Sequence, residues 1–156
     1  MLKEAKQTPL RLFCLVPSCV PSSPLETSGA VIDVDDISEL LGIEDVLGLA
    51  EVMNYPGVIN ADSSVLSKII SAGKSVVDGH APGLKDRDLN AYVSSGITSD
   101  HESTSYDEAM NKLRLGMWIM IREGSAARNL TALKEIAGHR HVMLVTDGDR
   151  SVRDIP

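Results

Sequence analysis

The chain has 156 residues, a formal net charge of −7 and ordinary globular proportions, 43% hydrophobic and 24% charged, which is enough for one core and short for two. Its acidic balance and the scarcity of aromatic rings (3%: Phe13, Tyr55, Tyr92, Tyr106 and Trp118) argue against a nucleic-acid partner, which selects basic surfaces and stacking platforms. No run approaches the roughly 20 apolar residues needed to span a bilayer, residues 1–8 lack the apolar segment of a signal peptide, and Cys14 and Cys19 read as reduced thiols, so a soluble, cytoplasmic protein without a membrane partner is expected.

In chain order, the first strand is predicted at residues 10–16, followed by a Pro/Ser-rich stretch, residues 17–29, of a length that suits a functional loop better than a linker. A helix over 36–41 and a strand over 46–52 come next. Residues 63–72 read as a helix capped by Asp62 or Ser63, with Val65, Leu66, Ile69 and Ile70 as its apolar face. The alternation continues with a strand at 75–79, a helix at 85–95, a strand at 96–99 and a helix at 106–115. In that last helix, Ser105 and Glu108 have capping-box spacing. A strand at 116–122, a helix at 126–137 and a strand at 141–146 complete the series. Several strands are apolar almost throughout, the pattern of parallel strands buried on both faces.

Repeated strand–helix alternation predicts an α/β fold with right-handed crossovers. Two architectures fit the pattern: a doubly wound sheet, or part of a (β/α)8 barrel, which needs about 250 residues when complete.

The polar residues fall at informative places. Glu51 ends the second strand, His80 the third, His101 the fourth, Arg122 and Glu123 the fifth, and Asp147 the sixth. In parallel α/β folds the carboxyl ends of the strands form the ligand-binding edge. Glu, His, His and Asp also make a sensible oxygen and nitrogen set for a first-row divalent metal. Successive members are separated by about one or two βα repeats, which would bring them to one mouth. Singly, each has a plainer explanation: a hydrogen-bonded structural histidine, a loop carboxylate, or a turn aspartate in Thr-Asp-Gly-Asp. Four at four strand ends make coincidence a poor account. Asp100 and Glu102 flank His101 and read as supporting groups, with solvation the simpler fate for Glu102. His139 and His141 form a His-x-His before the last strand, at its amino end, and read as a surface turn.

Several runs resemble a known family. These are Val16-Pro-Ser-Cys-Val-Pro21, Gly48-Leu-Ala-Glu-Val-Met-Asn-Tyr-Pro-Gly-Val58, Asp78-Gly-His-Ala-Pro-Gly-Leu84, Leu89-Asn-Ala-Tyr92, Asp100-His-Glu-Ser103 and Met120-Ile-Arg-Glu-Gly-Ser-Ala-Ala-Arg-Asn-Leu130. They are similar to the adenine deaminase family of the metal-dependent amidohydrolase superfamily. The resemblance covers nearly the whole chain. It implies that residues 1–156 form a single partial domain, an incomplete (β/α)8 barrel holding about strands three to eight. It implies hydrolytic deamination of adenine to hypoxanthine and ammonia, in purine salvage, by a metal-activated water. Glu51 would bridge the metal centre, His80 and His101 would be imidazole ligands, and Asp147 would bind metal and act as general base. Arg122, Glu123 and Ser125 would lie at the mouth, where one or more contacts the purine. Manganese is the implied metal, with iron or zinc as alternatives, and the partners are adenine and a second copy or complementing chain.

Two departures stand beside it. The strand-one His-x-His pair of the family is absent, and Thr-Asp-Asp is replaced by Thr-Asp-Gly-Asp at residues 146–149. A truncated chain of weak or no activity alone is therefore expected. Another cyclic amidohydrolase and a non-catalytic remnant or interaction fragment are the alternatives.

Overall fold

A computed structural model describes residues 2–9, 11–23, 25–148 and 151. The described residues form an α/β fold with two small parallel sheets. The chain divides into two compact units, residues 1–78 and residues 79–156. No helix is long and apolar enough to cross a membrane among the described residues.

The first unit contains α1 (Leu2–Ala5), β1 (Cys14–Pro17), α2 (Val34–Leu41), β2 (Val46–Val52), α3 (Tyr55–Ile59), α4 (Ser63–Ser71) and β3 (Val76–Gly79), whose last residue opens the second unit. Its sheet has the order β1-β2-β3. β1 runs parallel to β2, with Val16 opposite Leu49 and Pro17 opposite Ala50. Val16, Ile37, Leu49, Val52 and Ile69 are buried and make the aliphatic interior that the scarcity of aromatics requires. Gly48 permits the close strand packing: a Cβ there would stand 1.9 Å from the Val76 carbonyl oxygen.

Helix starts in this unit follow their side chains. Asp62 Oδ1 accepts the amides of Ser64 and Val65 at 2.8 and 3.3 Å, as the sequence suggests. Asp33 caps α2 with a full reciprocal box: its carboxylate accepts the Asp35 and Asp36 amides, and Asp36 accepts the Asp33 amide. Helix α3 is not anticipated by the sequence, because Pro56 and Gly57 are poor helix formers. Both lie in the first turn, where proline loses no intrahelical bond, and Asn54 Oδ1 caps the Gly57 amide at 3.0 Å.

The second unit contains α5 (Asp86–Ser94), β4 (Ser99–Asp100), α6 (Tyr106–Arg114), β5 (Trp118–Arg122), α7 (Leu130–Leu133) with a 3-10 turn over Lys134–Ile136, and β6 (Val142–Val145). Its sheet has the order β4-β5-β6, all parallel. Ile119 and Ile121 on β5 pack with Ala109 and Leu113 of α6 and with Leu133 and Ile136, which forms the core of this unit.

Four expectations are corrected. The first strand begins at Cys14, not residue 10 (Leu10 lies outside the described residues), because the ladder with β2 starts at Val46 and leaves Leu12 and Phe13 half exposed. Ile70 is 74% exposed and does not share the buried face of α4 with Ile69. The helix expected over 126–137 begins only at Leu130. The preceding residues fold back on β5 instead, with the Gly124 amide bonded to the Ala127 carbonyl at 2.8 Å and the Asn129 amide to the Arg122 carbonyl at 2.9 Å. Finally, β6 is not buried on both faces: Met143 and Leu144, which point to opposite sides, are exposed.

Candidate metal centre

In the second unit, three of the residues singled out from sequence follow the carboxyl ends of strands. His80 follows β3, His101 follows β4, and Asp147 lies two residues beyond β6. The two imidazoles meet. His80 Nδ1 and His101 Nε2 are 3.3 Å apart, with the rings edge-on at a centroid distance of 5.2 Å. His101 is buried and His80 partly so.

Glu102 stands between them and the next strand. One of its carboxylate oxygens is 3.6 Å from His80 Nδ1, 3.5 Å from His101 Nε2 and 2.6 Å from an Arg122 terminal nitrogen. That same nitrogen of Arg122 donates to Asp147 Oδ2 at 3.0 Å, while the other reaches Glu102 Oε2 at 3.1 Å. Burial works against the Arg122 charge. The hydrogen bond to Asp147, with the charges of Glu102 and Asp147, outweighs it and holds the guanidinium above its ordinary range. The Arg122 Nε atom is buried without a hydrogen-bond partner among the described residues.

The donor chemistry fits a divalent ion. Ligand atoms of His101, Glu102 and Asp147 all lie within 4.8 Å of one another, one imidazole and two carboxylates, the mixture that suits first-row metals. Arg122 already supplies a cation to both carboxylates, so an ion there would compete with it or share them.

The remaining residues are placed differently. Glu123 turns back to its own loop: its carboxylate accepts the Leu130 amide at 3.1 Å and its amide donates to the Val145 carbonyl at 2.9 Å. Ser125 Oγ accepts the Ser151 amide at 2.5 Å. Glu51 lies in the first unit near the end of β2, at a φ of 25°, and its carbonyl accepts the Ser18 hydroxyl at 2.6 Å. His139 and His141 sit at the opposite, amino end of β6, where His141 packs on Trp118 at 4.8 Å. They are a surface turn, as their position suggests.

Two residues matter more here than the sequence indicates. Glu102, expected to be solvated, is a hub. Lys112 is fully buried on α6 and pairs with the equally buried Asp100 at 2.7 Å. The available signal was its spacing, since position 112 shares the helix face of Ala109 and Leu113, which turn inward.

The described residues thus define an α/β protein whose strand ends gather imidazole and carboxylate groups of a kind that can hold a metal ion. No protein-family model matches the chain. Along 99% of its length it is 68% identical to a protein named adenine deaminase from Archaeoglobus fulgidus. Proteins of the same name from Dehalococcoides mccartyi and Methanocaldococcus jannaschii are 50% and 51% identical to it over the same share. The chain spans 28% of the length of each of these relatives. It is therefore homologous, over nearly its whole length, to a segment of the adenine deaminases.

Proposed function

We propose that this chain carries the metal-binding and proton-transferring part of an adenine deaminase centre. The observation that supports it is the cluster of His80, His101, Glu102, Arg122 and Asp147, gathered at strand ends in a segment so similar to adenine deaminases. His80, His101 and Asp147 would hold a divalent ion, manganese before iron or zinc. For Glu51 as a further, bridging ligand, the support is the resemblance of the run from Gly48 to Val58. When bound, the ion would supply the Lewis acidity that ionises water near neutral pH.

The chain's own groups would do the rest. Water adds through oxygen to C6 of adenine, the bond from C6 to the exocyclic nitrogen breaks, and hypoxanthine and ammonia are released. Asp147 is the proton carrier, taking a proton from water and returning it to the departing nitrogen. Arg122 orients Asp147 and Glu102 through its two terminal nitrogens. One or more of Arg122, Glu123 and Ser125 contacts the purine. Glu123 would do so only by giving up its bond to the Leu130 amide.

The same reading includes a single partial (β/α)8 barrel domain over residues 1–156, a role in purine salvage and a cytoplasmic setting suited to the free thiols of Cys14 and Cys19. It also includes a partner, a second copy or a complementing chain. The exposed Met143 and Leu144 of β6, last in its sheet order, support that part.

The test is ammonia release from adenine, with and without added manganese. The purified chain is assayed alone and mixed with the remaining segments of a full-length relative. Little turnover alone, metal-dependent turnover in the mixture, and loss of it with Asp147→Ala are expected. A folded, metal-loaded mixture that leaves adenine untouched would overturn the reading.

A further inference from the structure

We infer that Lys112 is a positioning residue for the histidine pair: its buried ammonium clamps the segment that carries His80 to the segment that carries His101. The inference rests on the reading of those histidines as metal ligands, and it adds a group with no donor atom to offer the metal.

The geometry is closed on every side. Lys112 Nζ donates to the Ala81 carbonyl at 2.9 Å, immediately after His80. It donates to Asp100 Oδ2 at 2.7 Å, immediately before His101, and lies 3.2 Å from Ser103 Oγ, two residues after it. A second carboxylate contact, to Glu108 at 3.0 Å, fixes the ammonium to its own helix. Glu108 in turn accepts the Gly83 amide at 2.8 Å, a second tie to the loop after His80. Asp100 completes the bracket, since its other oxygen accepts the Ala81 amide at 3.0 Å. Ala81, Asp100 and Lys112 are all fully buried.

A buried ammonium is retained at a cost, because hydrophobic residues of similar volume stabilise as well or better. What an apolar residue cannot do is accept geometry from two chain segments at once. An ammonium has three donors and no acceptor. Here its contacts go to the residue after one histidine, the residues on both sides of the other, and the helix. Loss of this clamp removes the ties that fix the two histidine-bearing segments at the separation where the rings approach to 3.3 Å.

The experiment uses the 156-residue chain with two readouts. The first is the nuclear Overhauser effect between the His80 and His101 rings, which needs no metal. The second is the affinity for Co2+, followed by visible absorbance. Lys112→Met alone strands the Asp100 charge and can unfold the chain, so the working variant is the neutral pair Asp100→Asn with Lys112→Met. Leu133→Ala, a core truncation that removes none of the clamp's hydrogen bonds, reports mere loss of stability. We expect the double variant to fold, to lose the ring-to-ring effect and to bind Co2+ at least about tenfold more weakly, while Leu133→Ala melts earlier with both readouts unchanged. A folded double variant that keeps the ring-to-ring effect overturns the inference. If the unmodified chain shows the ring-to-ring effect but binds no Co2+, the metal reading fails, and the clamp is still decided by the first readout.

Discussion

Arg122 at the end of β5 and Asp147 beyond the end of β6 are joined by a 3.0 Å ion pair, and the same guanidinium nitrogen holds Glu102 at 2.6 Å. One cation thus keeps two carboxylates together beside two histidines. Arg122→Gln should leave those charges facing each other and destabilise the fold by about 1–3 kcal/mol at neutral pH. The pH dependence has a definite sign. The folded pKa of Arg122 is raised, so its contribution is fully present below the unfolded value and is lost only as pH rises through the folded one, in strong alkali. Urea unfolding of the two proteins between about pH 6 and 9 should therefore show a constant gap. A gap that closes within that range would contradict the assignment.

Glu102 touches both histidines and Arg122, so Glu102→Gln, which keeps shape and removes charge, should weaken divalent-ion binding by about tenfold or more. Equilibrium dialysis against manganese decides it. Equal binding by the variant would return Glu102 to the surface role that its sequence position first suggests.

Leu133 is fully buried in the cluster under β5 and α6. Leu133→Ala should cost about 2–5 kcal/mol, read as a lower midpoint in chemical denaturation. Leu144→Ala, on the exposed β6, should change the midpoint little.

Acid should loosen two helix starts. Asp33 has its carboxyl pKa lowered, chiefly by the backbone hydrogen bond from Asp36, and Asp62 by the hydrogen bond from the Ser64 hydroxyl. Their stabilisation is present above the ordinary value of 3.8 and is lost as pH falls through the lower folded values. Asp33→Asn and Asp62→Asn should flatten the acid limb of the stability profile while folding normally at neutral pH. Thermal melts followed by circular dichroism at several pH values would show it, and unchanged acid limbs would count against the caps.

Much of this was legible in the chain. Strand β2 falls at the residues its pattern predicts, and so, within a residue or two, do β3, β5 and β6, because short, nearly continuous apolar runs bounded by glycines and polar residues mark them. His80, His101 and Asp147 were readable because strand ends are where parallel folds keep polar groups. Glu102 and Lys112 were not. A charged residue reads as solvated until its partners are known, and those partners lie on other elements: Arg122 for Glu102, Asp100 and Ala81 for Lys112. The loop before α7 was misread as helix for a similar reason, since its bonds return to β5 across the sheet edge.

Gly79, the residue before His80, has no room for a side chain. A Cβ there would stand 2.3 Å from the Ser99 carbonyl oxygen, 2.7 Å from Ile97 Cγ2 and 3.0 Å from the Tyr92 hydroxyl. That hydroxyl also receives the His80 amide at 2.9 Å. Evolutionary drift at this position is therefore confined to a single letter. Even alanine would need the backbone of Ser99 to retreat, and Ser99 adjoins the aspartate that precedes the second histidine. A change at one codon would have to be answered by movement of the Ser99 backbone, so lineages that keep this packing are expected to keep the glycine.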